Sequence, residues 1–226
     1  MKIKAVLFDL DNTLIDFLRM KKISCEAAIS AMIDAGLDMN KDVAYKKLFE
    51  LYEKFGIEDQ TIFQKFLENV IGNIDYRILA RGITAYRKMQ AGYLEPYPRV
   101  RGTLIKLKEK GLKLGIVSDA PKLKAWLRLT EMGLSEFFDV VITHDDTGKL
   151  KPHQMPFITA INKIGVKPNE ILFVGDNPTR DIAGAKAQGM KTALAKYGQI
   201  FKARVKADFE LEKFEDLLKV IDFEQK

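Results

Sequence analysis

Thiols and imidazoles are scarce in this chain of 226 residues, which carries one cysteine and two histidines. A lone Cys25 cannot close an intramolecular disulfide and has no second thiol for a CxxC metal or redox motif, so neither a disulfide scaffold nor a structural zinc is expected. Long apolar runs are also missing. No stretch approaches the ~18 apolar residues of a membrane span, and the opening Met1-Lys2-Ile3-Lys4-Ala5-Val6-Leu7-Phe8 meets Asp9 too early for a signal-peptide core. A cytoplasmic protein with no membrane partner is expected. Charge of a single sign is lacking as well: 37 Lys and Arg face 31 Asp and Glu, a net charge of +6. A pI near 9.2 invites a nucleic-acid reading. The signs alternate along segments such as Lys106-Leu107-Lys108-Glu109-Lys110, however, as on a solvated helix face. With no recognition motif beside them, nucleic acid is not expected as the primary partner.

What is present is an ordinary globular composition, 47% hydrophobic and 30% charged. A chain of this size removes roughly 70% of its unfolded surface from water, enough for a full core. Short runs rich in Val, Ile and Leu recur at Ile3–Phe8, Leu114–Val117, Val140–Thr143, Ile171–Val174 and Thr192–Ala195. They read as strands buried on both faces of a parallel sheet. Helical segments precede the later ones, and Gly111, Gly133, Gly165 and Gly189 stand where helices stop. The alternation predicts an α/β, doubly wound core. From about Asp16 to Tyr93 the period is helical throughout, with breaks near Gly36, Gly56 and Gly72, which predicts an all-helical insertion of about four helices. Within it Val43, Ala44, Leu48, Leu51, Tyr52 and Phe55 fall on one stripe. The expected division is a core of residues 1–16 and 94–226 with a helical domain of residues 17–93. The stretch from Phe209 to Phe223 reads as one amphipathic helix, with Leu211, Phe214, Leu217, Leu218 and Ile221 facing inward.

Chemistry concentrates at the predicted strand ends, where open α/β sheets bind ligands. Asp9-Leu10-Asp11-Asn12-Thr13 follows the first strand, and Gly175-Asp176 with Asp181 follows the fourth. A pair of aspartates alone is weak, because such pairs also arise in turns. Carboxylates from two strand ends on one edge repel unless a cation sits among them, and oxygen-only ligation selects a hard divalent ion such as Mg²⁺. Ser118-Asp119 adds a hydroxyl and backbone N–H groups at another strand end. Lys151-Pro152 adds a cation able to reach a phosphate. Carboxylates, metal, hydroxyl and lysine around one spot describe phosphoryl transfer.

Taken in chain order, Asp9-Leu10-Asp11-Asn12-Thr13, Ser118, Lys151 and Gly175-Asp176 with Asp181 resemble the four motifs of the haloacid dehalogenase (HAD) superfamily of phosphohydrolases, and the resemblance covers essentially the whole chain. The helical insertion is similar to that superfamily's C1 cap. The resemblance implies that Asp9 is the nucleophile that becomes an aspartyl phosphate and that Asp11 is the general acid and then base. It implies Mg²⁺ held by the Asp9 carboxylate, the Asp11 backbone carbonyl and the Asp176 carboxylate, with Asp181 acting through a metal-bound water or by orienting Lys151. Ser118, Asp119 and Lys151 would bind the substrate's phosphoryl group. It further implies a cap that opens to admit substrate and closes to exclude water. True dehalogenases lack the carboxylate at the Asp11 position, so keeping Asp11 favours a small phosphate monoester as substrate. A phosphomutase shares the same first step, and dehalogenation or a non-catalytic binding role on the same scaffold stand behind it. Many relatives read Lys-Pro-x-Pro where this chain has Lys151-Pro152-His153-Gln154-Met155-Pro156, and Lys149 lies close enough to exchange roles with Lys151, although the proline after Lys151 fixes the turn there and favours it.

Other residues carry plainer expectations. His144 and His153 read as loop or surface residues, Cys25 as helix packing and Trp126 as core. Arg19, Lys21 and Lys22 follow the first motif and can point cations at a bound anion, although charges at helix starts are usually solvated. A cap lysine forms a Schiff base in phosphonate-cleaving relatives, which keeps Lys21 and Lys22 in view. The choice between monomer and homodimer is not readable.

Overall fold

The apolar runs form β1 (Ala5–Phe8), β2 (Lys113–Val117), β3 (Val140–Ile142), β4 (Ile171–Gly175) and β5 (Lys191–Ala195), joined by a further strand, β6 (Phe209–Leu211). In the computed structural model, which describes residues 2–225, all pair in parallel in the order β3-β2-β1-β4-β5-β6. The helices, in chain order, are α1 (Phe17–Asp34), α2 (Lys41–Phe55), α3 (Ile62–Ile71), α4 (Tyr76–Tyr93), α5 (Val100–Glu109), α6 (Lys122–Glu131), α7 (His144–Thr147), α8 (Gln154–Ile164), α9 (Ala183–Ala187) and α10 (Leu217–Glu224). Two compact units result, Phe17–Leu94 and the remainder on either side of it.

In the α/β unit, alternate residues of β1 serve opposite faces of the sheet. Ala5 and Leu7 join a core with Phe157, Ile164 and Phe173, whereas the Phe8 ring packs against those of Phe138 and Phe214. Cover on both faces is why the strand runs are apolar without alternation. The chain passes from β1 to β2 and β3 on one side, then crosses back to place β4 on the other side of β1. The strand order therefore reverses between β1 and β4, the position at which such sheets open a crevice. Phe8 is in register with both Ile116 and Val174, so Asp9, Ser118 and Asp176 all leave from one edge. The four helix-stop glycines have φ between 63° and 77°, the left-handed geometry that closes a helix.

In the helical unit, α1 to α4 enclose a core that includes Ala28, Ile29, Leu48, Tyr52, Phe66 and Leu67. Asn40 caps α2 by accepting from the backbone N–H groups of Asp42 and Val43, and Asp75 caps α4 through those of Arg77 and Ile78.

Three expectations need correction. The stretch from Phe209 is not a single helix: Phe209 and Leu211 alternate about exposed Glu210 and pair with Ala193 and Ala195, and the helix begins only at Leu217. Leu218 is half-buried. On α2 the buried stripe narrows to Ala44, Leu48 and Tyr52, spaced four apart, while Val43 and Phe55 are exposed. Trp126 is 38% exposed rather than core, because the inward face of α6 is formed by Ala125, Arg128 and Leu129.

Candidate active site

The edge of the sheet beside β1 and β4 gathers the charged groups. The Asp9 N–H donates to the Val174 carbonyl at 2.9 Å, continuing the ladder one residue past β1. The chain then turns sharply: Asn12 N–H donates to Ile15 O at 2.7 Å and Leu14 N–H to Leu10 O at 2.9 Å, with Asn12 at φ 60°, a conformation asparagine tolerates better than most residues. This turn holds Asp9 and Asp11 apart from one another's partners. Thr13 Oγ1 donates to Asp9 Oδ2 at 3.4 Å.

Lys151 is the hub. It is buried, and its Nζ donates to Asp9 Oδ1 at 2.5 Å and to the Val117 carbonyl at 2.9 Å. The same nitrogen lies 2.7 Å from Asp181 Oδ1. Its backbone N–H donates to Asp119 Oδ1 at 2.8 Å, and the Lys151–Pro152 peptide is cis. Lys149, by contrast, is exposed. Burial opposes the ammonium charge, but Asp181, Asp9 and Asp119 outweigh it and hold Lys151 firmly cationic.

The β4 end supplies the remaining carboxylates. Pro178–Ile182 is wound as a single wide turn of π-helix, the kind of local expansion that often marks functional sites. It brings Asp181 back onto Gly175, where a Cβ would lie 2.5 Å from the Asp181 Cβ; no other residue leaves that space. Asp181 Oδ2 accepts from Asn177 N–H at 3.0 Å, whereas its Oδ1 meets the Lys151 ammonium as an ion pair and has no well-aligned hydrogen bond among the described residues. Asp176 is buried with its Oδ1 lacking a hydrogen-bond partner among the described residues. Burial, then the charges of Asp9 and Asp181, push its carboxyl up to about 8. Burial likewise raises Asp181 against the opposing pull of Lys151.

Carboxylate oxygens of Asp9, Asp176 and Asp181 all lie within 4.8 Å of one another, with one ammonium among them. An all-oxygen donor set with excess negative charge and an unsatisfied buried oxygen fits a hard divalent cation.

The other sequence-predicted residues fall around this cluster in different ways. Ser118 is buried, and its Oγ accepts from Ala120 N–H at 3.1 Å. The Asp119 carboxylate is committed to protein partners, the Lys151 backbone through Oδ1 and Arg180 Nη1 at 3.3 Å through Oδ2. Asp11 stands outside the carboxylate cluster and pairs with Arg128 at 2.7 Å. Neither histidine joins: His153 caps α8 by accepting from Met155 N–H, and His144 is half-buried with its Nδ1 3.6 Å from Asp145 Oδ1. In the helical unit, Lys21 is buried with its ammonium 4.4 Å from the centre of the Tyr52 ring and 5.2 Å from that of Tyr86, while Arg19 and Lys22 are exposed. Burial pushes the Cys25 thiol up to about 11, as suits a packing role.

Sequence reasoning missed Arg128, Arg180 and Tyr197. Arg128 carried a signal, a charge on the apolar stripe between Ala125 and Leu129. Arg180 lay inside a motif whose aspartates drew the attention. Tyr197, whose hydroxyl donates to the Thr13 carbonyl at 2.8 Å, had none.

Residues 6–195 match the family model described as haloacid dehalogenase-like hydrolase. The chain belongs to this family. It is 37% identical to a glyceraldehyde 3-phosphate phosphatase of Pyrococcus abyssi, covering 98% of this chain and 95% of that protein. It is 35% identical to the pyrophosphatase PpaX of Bacillus cereus, covering 98% and 97%. Among solved structures, a HAD phosphatase from Thermococcus onnurineus shares 31% identity and superposes with a TM-score of 0.70 over all of both chains.

Proposed function

We propose that this HAD-family hydrolase is a Mg²⁺-dependent phosphatase that acts on a small phosphate monoester through an aspartyl phosphate on Asp9. The observation that carries this reading is the Lys151 ammonium bonded to both Asp9 and Asp181 at the β1/β4 switch point, beside the unsatisfied Asp176 carboxylate. Near-full-length similarity to a protein named as a glyceraldehyde 3-phosphate phosphatase supports the monoester, and similarity to a pyrophosphatase, whose substrate is an anhydride, supports phosphoryl transfer to water more generally.

In this scheme the Asp9 carboxylate attacks phosphorus, forming an acyl phosphate while the bond to the leaving oxygen breaks. Asp11 gives its proton to that oxygen, then takes one from the water that cleaves the acyl phosphate, which returns Asp9 and releases inorganic phosphate. The Lys151 ammonium donates to two protein acceptors, Asp9 Oδ1 and the Val117 carbonyl, and is ion-paired with Asp181. Its part is thus to aim the Asp9 carboxylate and to place a fixed positive charge beside the transferring group. Ser118 accepts a backbone N–H through Oγ and has its own hydrogen to give to a phosphoryl oxygen. Asp9, Asp176 and the Asp11 carbonyl would hold the Mg²⁺, which when bound neutralises charge on the phosphoryl oxygens. Asp181, held through Oδ2 by the Asn177 N–H and ion-paired through Oδ1, steadies Lys151.

Phosphate release is to be measured on glyceraldehyde 3-phosphate, other small monoesters and pyrophosphate, with Mg²⁺ or with EDTA. The expected result is metal-dependent turnover of a monoester that falls to background in Asp9→Asn. Turnover that persists in Asp9→Asn contradicts the scheme.

A further inference from the structure

Arg128 is a buried guanidinium on α6, its side chain 5% exposed, with Nη1 2.7 Å from Asp11 Oδ2. It shares the inward face of α6 with Ala125 and Leu129, where an apolar side chain of similar size would pack without the desolvation of a charge. Nor does the loop that carries Asp11 depend on this contact for its backbone. Asn12 N–H and Leu14 N–H are bonded within the turn, the Tyr197 hydroxyl holds the Thr13 carbonyl, and Gly198 lies flush against the Asn12 carbonyl. With the backbone fixed by these groups, what the guanidinium adds is the direction of the Asp11 side chain.

We propose that Arg128 is a positioning residue for the acid and base of the reaction: it orients the Asp11 carboxyl so that its proton meets the leaving-group oxygen. The proposal rests on the reading of Asp11 as proton donor and acceptor given above. A displacement of about 1 Å in such a group lowers turnover on the order of 10²-fold. The loss should track how much the leaving group needs a proton. An alkoxide needs one; p-nitrophenolate leaves without it.

The test measures kcat and KM on glycerol phosphate and on p-nitrophenyl phosphate for the wild type, Asp11→Asn, Arg128→Gln, Arg128→Lys and the Asp11→Asn/Arg128→Gln double variant, with thermal melts of each. Arg128→Gln should lower kcat on the alkyl ester about 10²-fold with KM little changed and a clearly smaller loss on the aryl ester. Arg128→Lys should recover part of the alkyl-ester rate, and Arg128→Gln should add no further loss in the Asp11→Asn background. Equal losses on both esters that multiply the Asp11→Asn loss would overturn the proposal and reduce Arg128 to a scaffold residue. Full alkyl-ester activity in Asp11→Asn would instead overturn the reading of Asp11 itself. If Arg128→Gln does not fold, Arg128→Lys carries the test: a changed ratio of the two esters supports positioning and an unchanged ratio refutes it.

Discussion

Asp176 has an oxygen with no hydrogen-bond partner among the described residues and two aspartates for neighbours. A residue so placed lowers stability unless a cation joins it, and this sets up a trade between stability and metal binding. Asp176→Asn should therefore raise the melting temperature of the protein in EDTA while shrinking the rise that Mg²⁺ produces. Differential scanning fluorimetry with and without Mg²⁺ checks both shifts. At this scale the sequence was informative where residue type dictates chemistry: Asp9 and Asp176 directly follow apolar strands, and Asp181 and Lys151 are charged groups in the segments beyond strand ends. It was uninformative where side-chain direction decides. Lys149 and Lys151 are chemically alike; the proline after Lys151 favours it in sequence, and burial separates the two in the fold. Asp119 looks like a ligand for substrate, yet its two oxygens serve the Lys151 backbone and Arg180. Trp126 suggested core by its size, but the angular position of residue 126 on α6 turns it outward.

Among the elements, the turn after β1 is shaped by a segment far from it in sequence. A Cβ on Gly198 would lie 1.6 Å from the Asn12 carbonyl oxygen, and the backbone there has no soft side chain to yield. Gly198→Ala should push the turn away from the sheet and reduce turnover on the order of 10²-fold, read as kcat on the best ester, together with a lower melting temperature. The sixth strand shows why some elements were not legible. Phe209, Glu210 and Leu211 span too few residues for a period of two to outweigh the helical spacing that follows, and their pairing with β5 is a tertiary fact. Asp208 secures that pairing by accepting from the Thr192 N–H and hydroxyl, both at 2.8 Å. Burial alone would raise its carboxyl, but those bonds and Lys186 hold it below the usual carboxylate range. A depressed folded value adds stability above the unfolded value of 3.8, and that stability is lost as pH falls through the folded value. Asp208→Asn should hence be less stable than the wild type in urea at pH 6, with the gap closing as pH is taken below the unfolded value.

For the molecule as a whole, Asp9, Ser118 and Asp176 leave one edge because parallel strands end there in one register, and the segments that follow β3 and β4 bring Lys151 and Asp181 onto Asp9 and Asp176. This convergence could be anticipated from the alternation of strands and helices, since doubly wound sheets place ligands where the strand order reverses. The direction of the Asp11 side chain could not, because its partner Arg128 lies 117 positions away in sequence. The central claim is that this convergence makes Asp9 the atom donor to phosphorus. The most direct measurement is acid quenching during turnover of a labelled monoester, followed by peptide mapping of the phosphorylated residue. The account predicts phosphate on Asp9, trapped as homoserine at that position on borohydride reduction and absent from Asp9→Asn. Turnover without any adduct on Asp9, or an adduct that survives in Asp9→Asn, would contradict it.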